Sequence, residues 1–201
     1  MQKEKGNISG HKYFQMLYQY LAAQYSLSDQ DKHLIFDNFQ FVEAKKGTLL
    51  HRQGDICRYA VFVCCGCVKT FFINSKGDEY TRYISFENGF VSAFSSFISE
   101  TPSIENVQVL EDSKLLRINR NNFFRLTNSN TTFAKLYLHS LEQAQIFSTW
   151  RIETMISMTA RERYEDILTK MPELVLLLSN KQVASFLGIT QESLSRLKSN
   201  K

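Results

Sequence analysis

Five polar side chains close to the C-terminus carry the clearest chemical signal in the chain. Gln191, Glu192, Ser195, Arg196 and Lys198 face away from the packed side of a predicted helix, whose apolar residues are Leu194 and Leu197. Gln, Glu and Arg carry donors and acceptors that match base edges in a DNA major groove. Ser and Lys suit phosphate oxygens, which position a protein on the duplex without reading sequence. Thr190 N-caps the helix and joins the same candidate DNA-binding set. From Asn180 onward, Lys181, Arg196, Lys198 and Lys201 face only Glu192, a local cationic excess. The alternative is a helical hairpin that packs on its own protein and leaves a solvated polar face.

Other residue types that do chemistry do not converge. Cys57, Cys64, Cys65 and Cys67 invite a metal or redox reading, but their spacing matches no zinc pattern. On a strand, Cys65 and Cys67 share one face and Cys64 takes the other, unless Gly66 bends the chain. Small buried hydrophobes in a reduced compartment are the simpler reading. His11, His33, His51 and His139 show no ligand spacing, and no glycine-rich phosphate loop or nucleophile motif is present. No catalytic residue, metal ligand or cofactor is expected, and an enzyme is the least supported class.

The elements that must hold the five side chains are written into Asn180–Lys198. Two short helices crossing steeply need a small residue at their contact, which Ala184 supplies, and a turn residue that tolerates positive φ, which Gly188 supplies. Val183, Leu187, Ile189, Leu194 and Leu197 provide the inner faces. Ser179 with Gln182 forms a capping box for the first helix. The stretch reads as a helix-turn-helix.

The whole chain has 201 residues and a net charge of +4. That length fits one or two domains, and the charge permits nucleic-acid binding without indicating it alone. No signal-peptide pattern opens the sequence, and no apolar run approaches the roughly 20 residues that span a bilayer. A cytoplasmic protein without a membrane partner is expected. His11 to Tyr25 carries Phe14, Leu17, Tyr18 and Leu21 at helical spacing, and a second short helix is predicted from Ser28 to about Phe36. Both read as a lid packed on the strand-rich region after them, with core packing and no function of their own as the better-supported reading. From Phe39 the period becomes two, with segments at Phe39–Ala44, Thr48–His51, Tyr59–Cys64, Val68–Ile73, Tyr80–Phe86, Ile104–Leu110 and Lys114–Ile118. Many short strands at regular spacing indicate a sandwich or jelly roll. Phe94 to Ile98 reads as a short inserted helix.

Asn130 to Ser157 reads as one long helix with an apolar stripe of Phe133, Leu136, Tyr137, Leu141, Ala144, Phe147 and Met155. One small domain cannot cover so long a stripe, so a coiled-coil seam with a second chain is expected. The alternative is a helix wrapped on its own roll. Thr159 with Glu162 forms another capping box, which makes Met158 and Thr159 the hinge to a helix running from Arg161 to about Met171, where Pro172 ends it.

This order resembles the Crp/Fnr family of bacterial transcription regulators over nearly the whole chain. The matching pieces are the turns at Gly54-Asp55, Gly66 and Lys76-Gly77-Asp78, the long helix, Thr159-Ala160-Arg161-Glu162-Arg163-Tyr164, and the run Gly188 to Arg196. By motif position Gln191, Glu192 and Arg196 fall where the family's base-reading residues fall. The resemblance implies a homodimer held by the long helices, an effector pocket in each roll and a near-palindromic double-stranded DNA site. RNA polymerase is left open as a third partner. Family members that bind cyclic nucleotides carry a Gly-Glu pair for the ribose and an Arg followed by Ser or Thr for the phosphate. The corresponding stretches here read Phe90-Val91-Ser92-Ala93-Phe94 and Pro102-Ser103-Ile104-Glu105. With no carboxylate at the first and no Arg at the second, the pocket around Phe90, Ser92, Ala93, Phe94, Ser103 and Ile104 is expected not to hold cyclic AMP. An apolar ligand or a self-filled pocket is expected instead. The family's oxygen sensors hold an iron–sulfur cluster with mostly N-terminal cysteines, whereas the first cysteine here is Cys57. The sequence stops at Lys201 without the β-wing many members carry, so either some backbone contacts are missing or further residues follow.

The expected fold is therefore α+β: a double-stranded β-roll over 1–129, a dimerisation helix over 130–157 and a helix-turn-helix domain over 158–201. The leading function is a homodimeric DNA-binding regulator whose effector is unknown or absent. The competing reading is a small-molecule-sensing or protein-interaction module that does not bind DNA specifically.

Overall fold

The computed structural model describes residues 5–199. Its contacts divide the chain into two units, Met1–Phe71 with Ile84–Tyr137 and Phe72–Tyr83 with Leu138–Lys201. The architecture is the mixed helix and sheet fold expected, with an antiparallel β-roll ahead of a long helix.

Helices α1 (Lys5–Ala22) and α2 (Asp29–Asn38) come first, the second opened by a Ser28–Asp31 capping box. The strands come next: β1 (Phe39–Ala44), β2 (Leu49–His51), β3 (Tyr59–Cys65), β4 (Val68–Ile73), β5 (Glu79–Ser85) and β6 (Phe90–Val91). A short helix α3 (Phe94–Ser99) precedes β7 (Asn106–Val109) and β8 (Ser113–Asn119). They form two four-stranded sheets, ordered β1-β8-β3-β6 and β2-β7-β4-β5. Alternation sets the register. Phe41 and Phe62 both lie opposite Leu116. The lid reading holds for α1, whose Tyr13 stacks on Phe41 at 4.9 Å and whose Tyr20 meets Phe62 at 5.5 Å. Leu17, Leu21, Phe62, Leu115 and Leu116 are buried in this unit.

A helix not foreseen in the sequence, α4 (Arg120–Ser129), follows β8 directly. Asn119 caps it by accepting from the Asn122 N–H at 2.9 Å. Then comes α5 (Thr131–Ser157), 27 residues long. Its apolar positions form two stripes rather than one. Phe133, Leu136 and Thr154 are buried and Phe147 and Trp150 half-buried, whereas Leu138, Ile152 and Ile156 are exposed on the opposite side. Of the stripe read from the sequence, Phe133 and Leu136 are buried, Tyr137, Leu141 and Phe147 half-buried, and Ala144 and Met155 exposed.

The second unit holds α6 (Ala160–Lys170), α7 (Pro172–Leu177), α8 (Asn180–Leu187) and α9 (Gln191–Ser199). The Thr159–Glu162 capping box starts α6 as expected. Pro172 ends that helix but also starts α7 at its first position, where the missing N–H costs nothing. Ile167, Leu174, Val183, Phe186, Leu187 and Leu194 form the core of this unit. The turn of residues 72–83 belongs here too. Asn74 Oδ1 accepts from the N–H groups of Lys76 and Asp78, both at 2.9 Å, and sets its shape.

Candidate nucleic-acid interface

The helix-turn-helix forms as its residue types require. The Ser179 hydroxyl accepts from the Gln182 N–H while Gln182 Oε1 accepts from the Ser179 N–H at 2.8 Å, closing the capping box. Gly188 follows α8 with φ +69°, in the left-handed region. A Cβ there would lie 2.8 Å from Met155 Cε, so both the conformation and the close approach of α5 select glycine. Thr190 caps α9 by accepting from the Ser193 N–H at 3.2 Å.

Two arginines grip the C-terminal end of α8. Arg151 Nη2 donates to the Phe186 carbonyl at 2.6 Å, and its guanidinium lies 4.2 Å from the Phe186 ring centroid. Arg163 Nε donates to the Leu187 carbonyl at 3.1 Å, and Nη1 to the Met158 carbonyl at 2.7 Å. These carbonyls are the ones a helix leaves unpaired at its end, and cations there suit the helix dipole. Burial, helped by the charge of Arg163, lowers the Arg151 pKa to about 10, still fully protonated at neutral pH. Neither arginine was singled out from sequence. Their signal lies in the pairing of α5 and α6 with the distant end of α8, which periodicity does not encode.

With α8 and the turn fixed, Leu194 is buried and Thr190, Gln191, Glu192, Ser195 and Arg196 are exposed. Lys198 differs from them. It is half-buried, and its Nζ donates to Asn180 Oδ1 at 2.6 Å, tying α9 back to the start of α8. Hydrogen bonds from the Glu192 backbone N–H and from Thr190 hold the Glu192 carboxyl below its usual pKa, with Arg196 adding to the effect. Lys201 lies outside the described residues.

In the first unit, the six residues read as an effector pocket do not all point inward. Ala93 is fully buried and Ser103 nearly so, Phe90, Ser92 and Phe94 are half-buried, and Ile104 is 75% exposed. The Ser103 hydroxyl is used locally, donating to the Glu105 carbonyl at 3.1 Å and accepting from the Glu105 N–H at 2.9 Å. That tight turn throws Ile104 outward.

Residues 41–130 match the cyclic nucleotide-binding domain family. Solved structures share the fold over most of the chain. FixK2 from Bradyrhizobium japonicum is 15% identical, covering 81% of this chain and 83% of its own, with a TM-score of 0.69. A CooA mutant from Carboxydothermus hydrogenoformans is 17% identical, covering 89% and 80%, with a TM-score of 0.70. A putative transcriptional regulator of the Crp/Fnr family from Eubacterium rectale is 20% identical, covering 85% and 82%, with a TM-score of 0.67. At these identities the likeness establishes the fold. No curated protein matches the chain.

Within the β-roll, two polar atoms stand out that the sequence reading did not single out. His51 Nε2 and Thr70 Oγ1 are buried side-chain atoms without a hydrogen-bond partner. The register places His51 on β2 and Thr70 on β4 either side of Val107 on β7. Burial lowers the His51 pKa against the opposing pull of Asp55 and Glu105, which keeps the imidazole neutral at pH 7. The cysteines are free. Cys57, Cys64 and Cys67 are buried, and Cys65 is exposed. Cys65 and Cys67 thus do not share a face, because Gly66 between them turns the chain at φ +100°. Burial pushes the thiols of Cys64 and Cys67 up to about 12. Among the described residues no helix is long and apolar enough to cross a membrane.

Proposed function

We propose that this chain is a cytoplasmic, homodimeric transcription regulator of the Crp/Fnr type that reads double-stranded DNA with α9. The observation that carries the reading is the face of α9. Four side chains able to bond bases or phosphates, Gln191, Glu192, Ser195 and Arg196, stand exposed on a helix whose other side is locked by Leu194. The organisation into a roll over 1–129, a dimerisation helix over 130–157 and a DNA-binding domain over 158–201 accords with it. Homodimerisation rests on the exposed apolar side of α5. Cyclic AMP is not the effector of this reading. By the resemblance, the stretches 90–94 and 102–105 correspond to the ribose and phosphate contacts and carry no carboxylate at the first and no Arg at the second, and Ser103 already bonds its own turn.

Selection of duplexes from a random-sequence library tests the proposal. The protein should enrich a near-palindromic site, and Arg196→Ala should relax the base preference at one position of each half-site. Retention of all sequences alike at physiological salt would overturn it in favour of a protein-interaction module.

A further inference from the structure

The Ser185 hydroxyl on α8 bonds the hairpin turn of residues 72–83. Ser185 Oγ donates to the Glu79 carbonyl at 3.0 Å and accepts from the Thr81 N–H at 3.0 Å. The Thr81 hydroxyl lies 3.0 Å from the same oxygen. A serine hydroxyl has one proton to give and two lone pairs to fill. With its proton on Glu79, both lone pairs are met by Thr81, so the group is saturated by one strand. The place is specific as well. β5 is the outer strand of its sheet, and an outer strand presents unpaired N–H and C=O groups on its free side. The Ser185 hydroxyl bridges the Glu79 carbonyl and the Thr81 N–H as the next strand would. Thr81 is almost fully buried, so water does not substitute for the contact. Two ring contacts brace the same hairpin, Phe72 stacking on Tyr80 at 5.4 Å and Tyr83 meeting Phe147 of α5 edge-on at 5.0 Å.

We propose that Ser185 is a positioning residue: it latches the first helix of the helix-turn-helix to the 72–83 hairpin, so that the hairpin helps set the attitude of α9 for DNA. The proposal rests on the DNA-reading role of α9 given above. Its physical content is a coupling between two places in one unit. The hairpin runs on through β4 and β5 into the sheet, and α8 carries the turn that leads to α9. Coupling of this kind is reciprocal: whatever loading α9 does to the hairpin, loosening the hairpin does to DNA binding. The Arg151 and Arg163 contacts grip the other end of α8, so the latch adds a second point of hold rather than the only one.

Hydrogen–deuterium exchange on the full chain tests it. Ser185→Ala keeps a good helix former in α8, so the fold is retained. In that variant the Thr81 amide should exchange at least about tenfold faster, the cost of losing one buried hydrogen bond, while Val107 amide exchange stays as in wild type. Thr81→Val removes only the hydroxyl-to-hydroxyl bond and should give a smaller rise. The second arm uses the duplex enriched by wild type. Its binding should change exchange of the hairpin in wild type and leave it unchanged in Ser185→Ala, and the variant's affinity should differ by at least about fivefold, the low end of a typical coupling. Equal Thr81 exchange in wild type and Ser185→Ala overturns the latch. So does an equal hairpin response to DNA in both, or an unchanged affinity. If wild type enriches no duplex, the DNA-binding reading fails and the exchange comparison alone decides the latch.

Discussion

Arg196 and Lys198 have the same charge and sit two residues apart, yet their surroundings assign them different work. Arg196 is exposed, whereas Lys198 is tied to Asn180. Arg196→Ala should cost roughly 1–3 kcal/mol on the selected site and relax specificity at one base position, measured by titrating matched and singly mismatched duplexes. Lys198→Ala should weaken all sequences alike and reduce the salt slope by about one. Arg196→Ala binding its site as tightly as wild type would remove the base-reading assignment. The same residue-level reasoning governs the β-roll. A buried cyclic phosphate needs a charged donor, and Ser103, bonded to its own turn, is not one. Losing one partner of a buried charge pair costs roughly 3–5 kcal/mol, which moves a micromolar ligand toward the millimolar range. Calorimetry with cyclic AMP and cyclic GMP should therefore show no binding at micromolar concentration; a low-micromolar constant for either would place the phosphate elsewhere. Capping residues were legible in the sequence because a cap is a local pattern of three or four positions. His51 and Thr70 were not, because periodicity shows which side chains face inward but not which of them end without a partner. Ile104 went astray for a related reason. A serine two residues before a buried Glu105 makes a turn that reverses the face of the residue between them.

At the scale of elements, signals with a start and a stop were read correctly, and signals that depend on neighbours were not. Strands β1, β3, β4, β5 and β8 fall close to the predicted segments, because alternation and turn residues both mark them. The two-residue β6 is too short to alternate. Helix α4 follows a strand without a break, so its Asn119 cap sits at the end of an apolar run and looks like strand. At Pro172 a stop signal was also a start signal, since proline closes one helix and suits the first position of the next. In α5 the apolar residues outside the predicted stripe were not foreseen. Exposed and buried apolar residues alternate around the helix, and only contacts reveal that there are two sides. Gly188 provides the element-scale test. Its left-handed φ and the Met155 methyl above it both oppose a side chain, so Gly188→Ala should destabilise the chain by about 1–3 kcal/mol. Denaturant melts should show a lower midpoint with an unchanged slope. An unaltered midpoint would mean that the turn between α8 and α9 adapts, which would also loosen the case for a fixed reading helix.

For the whole molecule, the question is what covers the outer side of α5. Leu138, Ile152 and Ile156 lie on it, spread over more than half its length, with Ile152 60% and Ile156 81% exposed. An apolar stripe of that length is what a coiled-coil partner buries, and two-fold pairing sets the same stripe against itself. Between Leu138 and Ile152 the helix also carries the exposed Ile146 and a polar pair in which Gln145 Nε2 donates to Thr149 Oγ1 at 3.2 Å. A polar layer inside an apolar seam fixes register and helix number at some cost in stability. Two copies joined this way carry two α9 helices related by a two-fold axis, which is the symmetry of a palindromic site with half-sites about 34 Å apart, one helical turn of DNA. Sedimentation should find a dimer at micromolar concentration. Ile152→Glu and Leu141→Glu should each shift it toward monomer while leaving the circular dichroism spectrum of wild type, because neither residue belongs to the buried side that holds Phe147 and Trp150. Affinity for the full palindrome should then fall toward that for a single half-site, since one copy reaches only one half. A folded wild-type monomer at that concentration, or an Ile152→Glu variant that still dimerises and still prefers the palindrome, would mean that the stripe serves another partner and that the two-fold account of DNA reading is wrong.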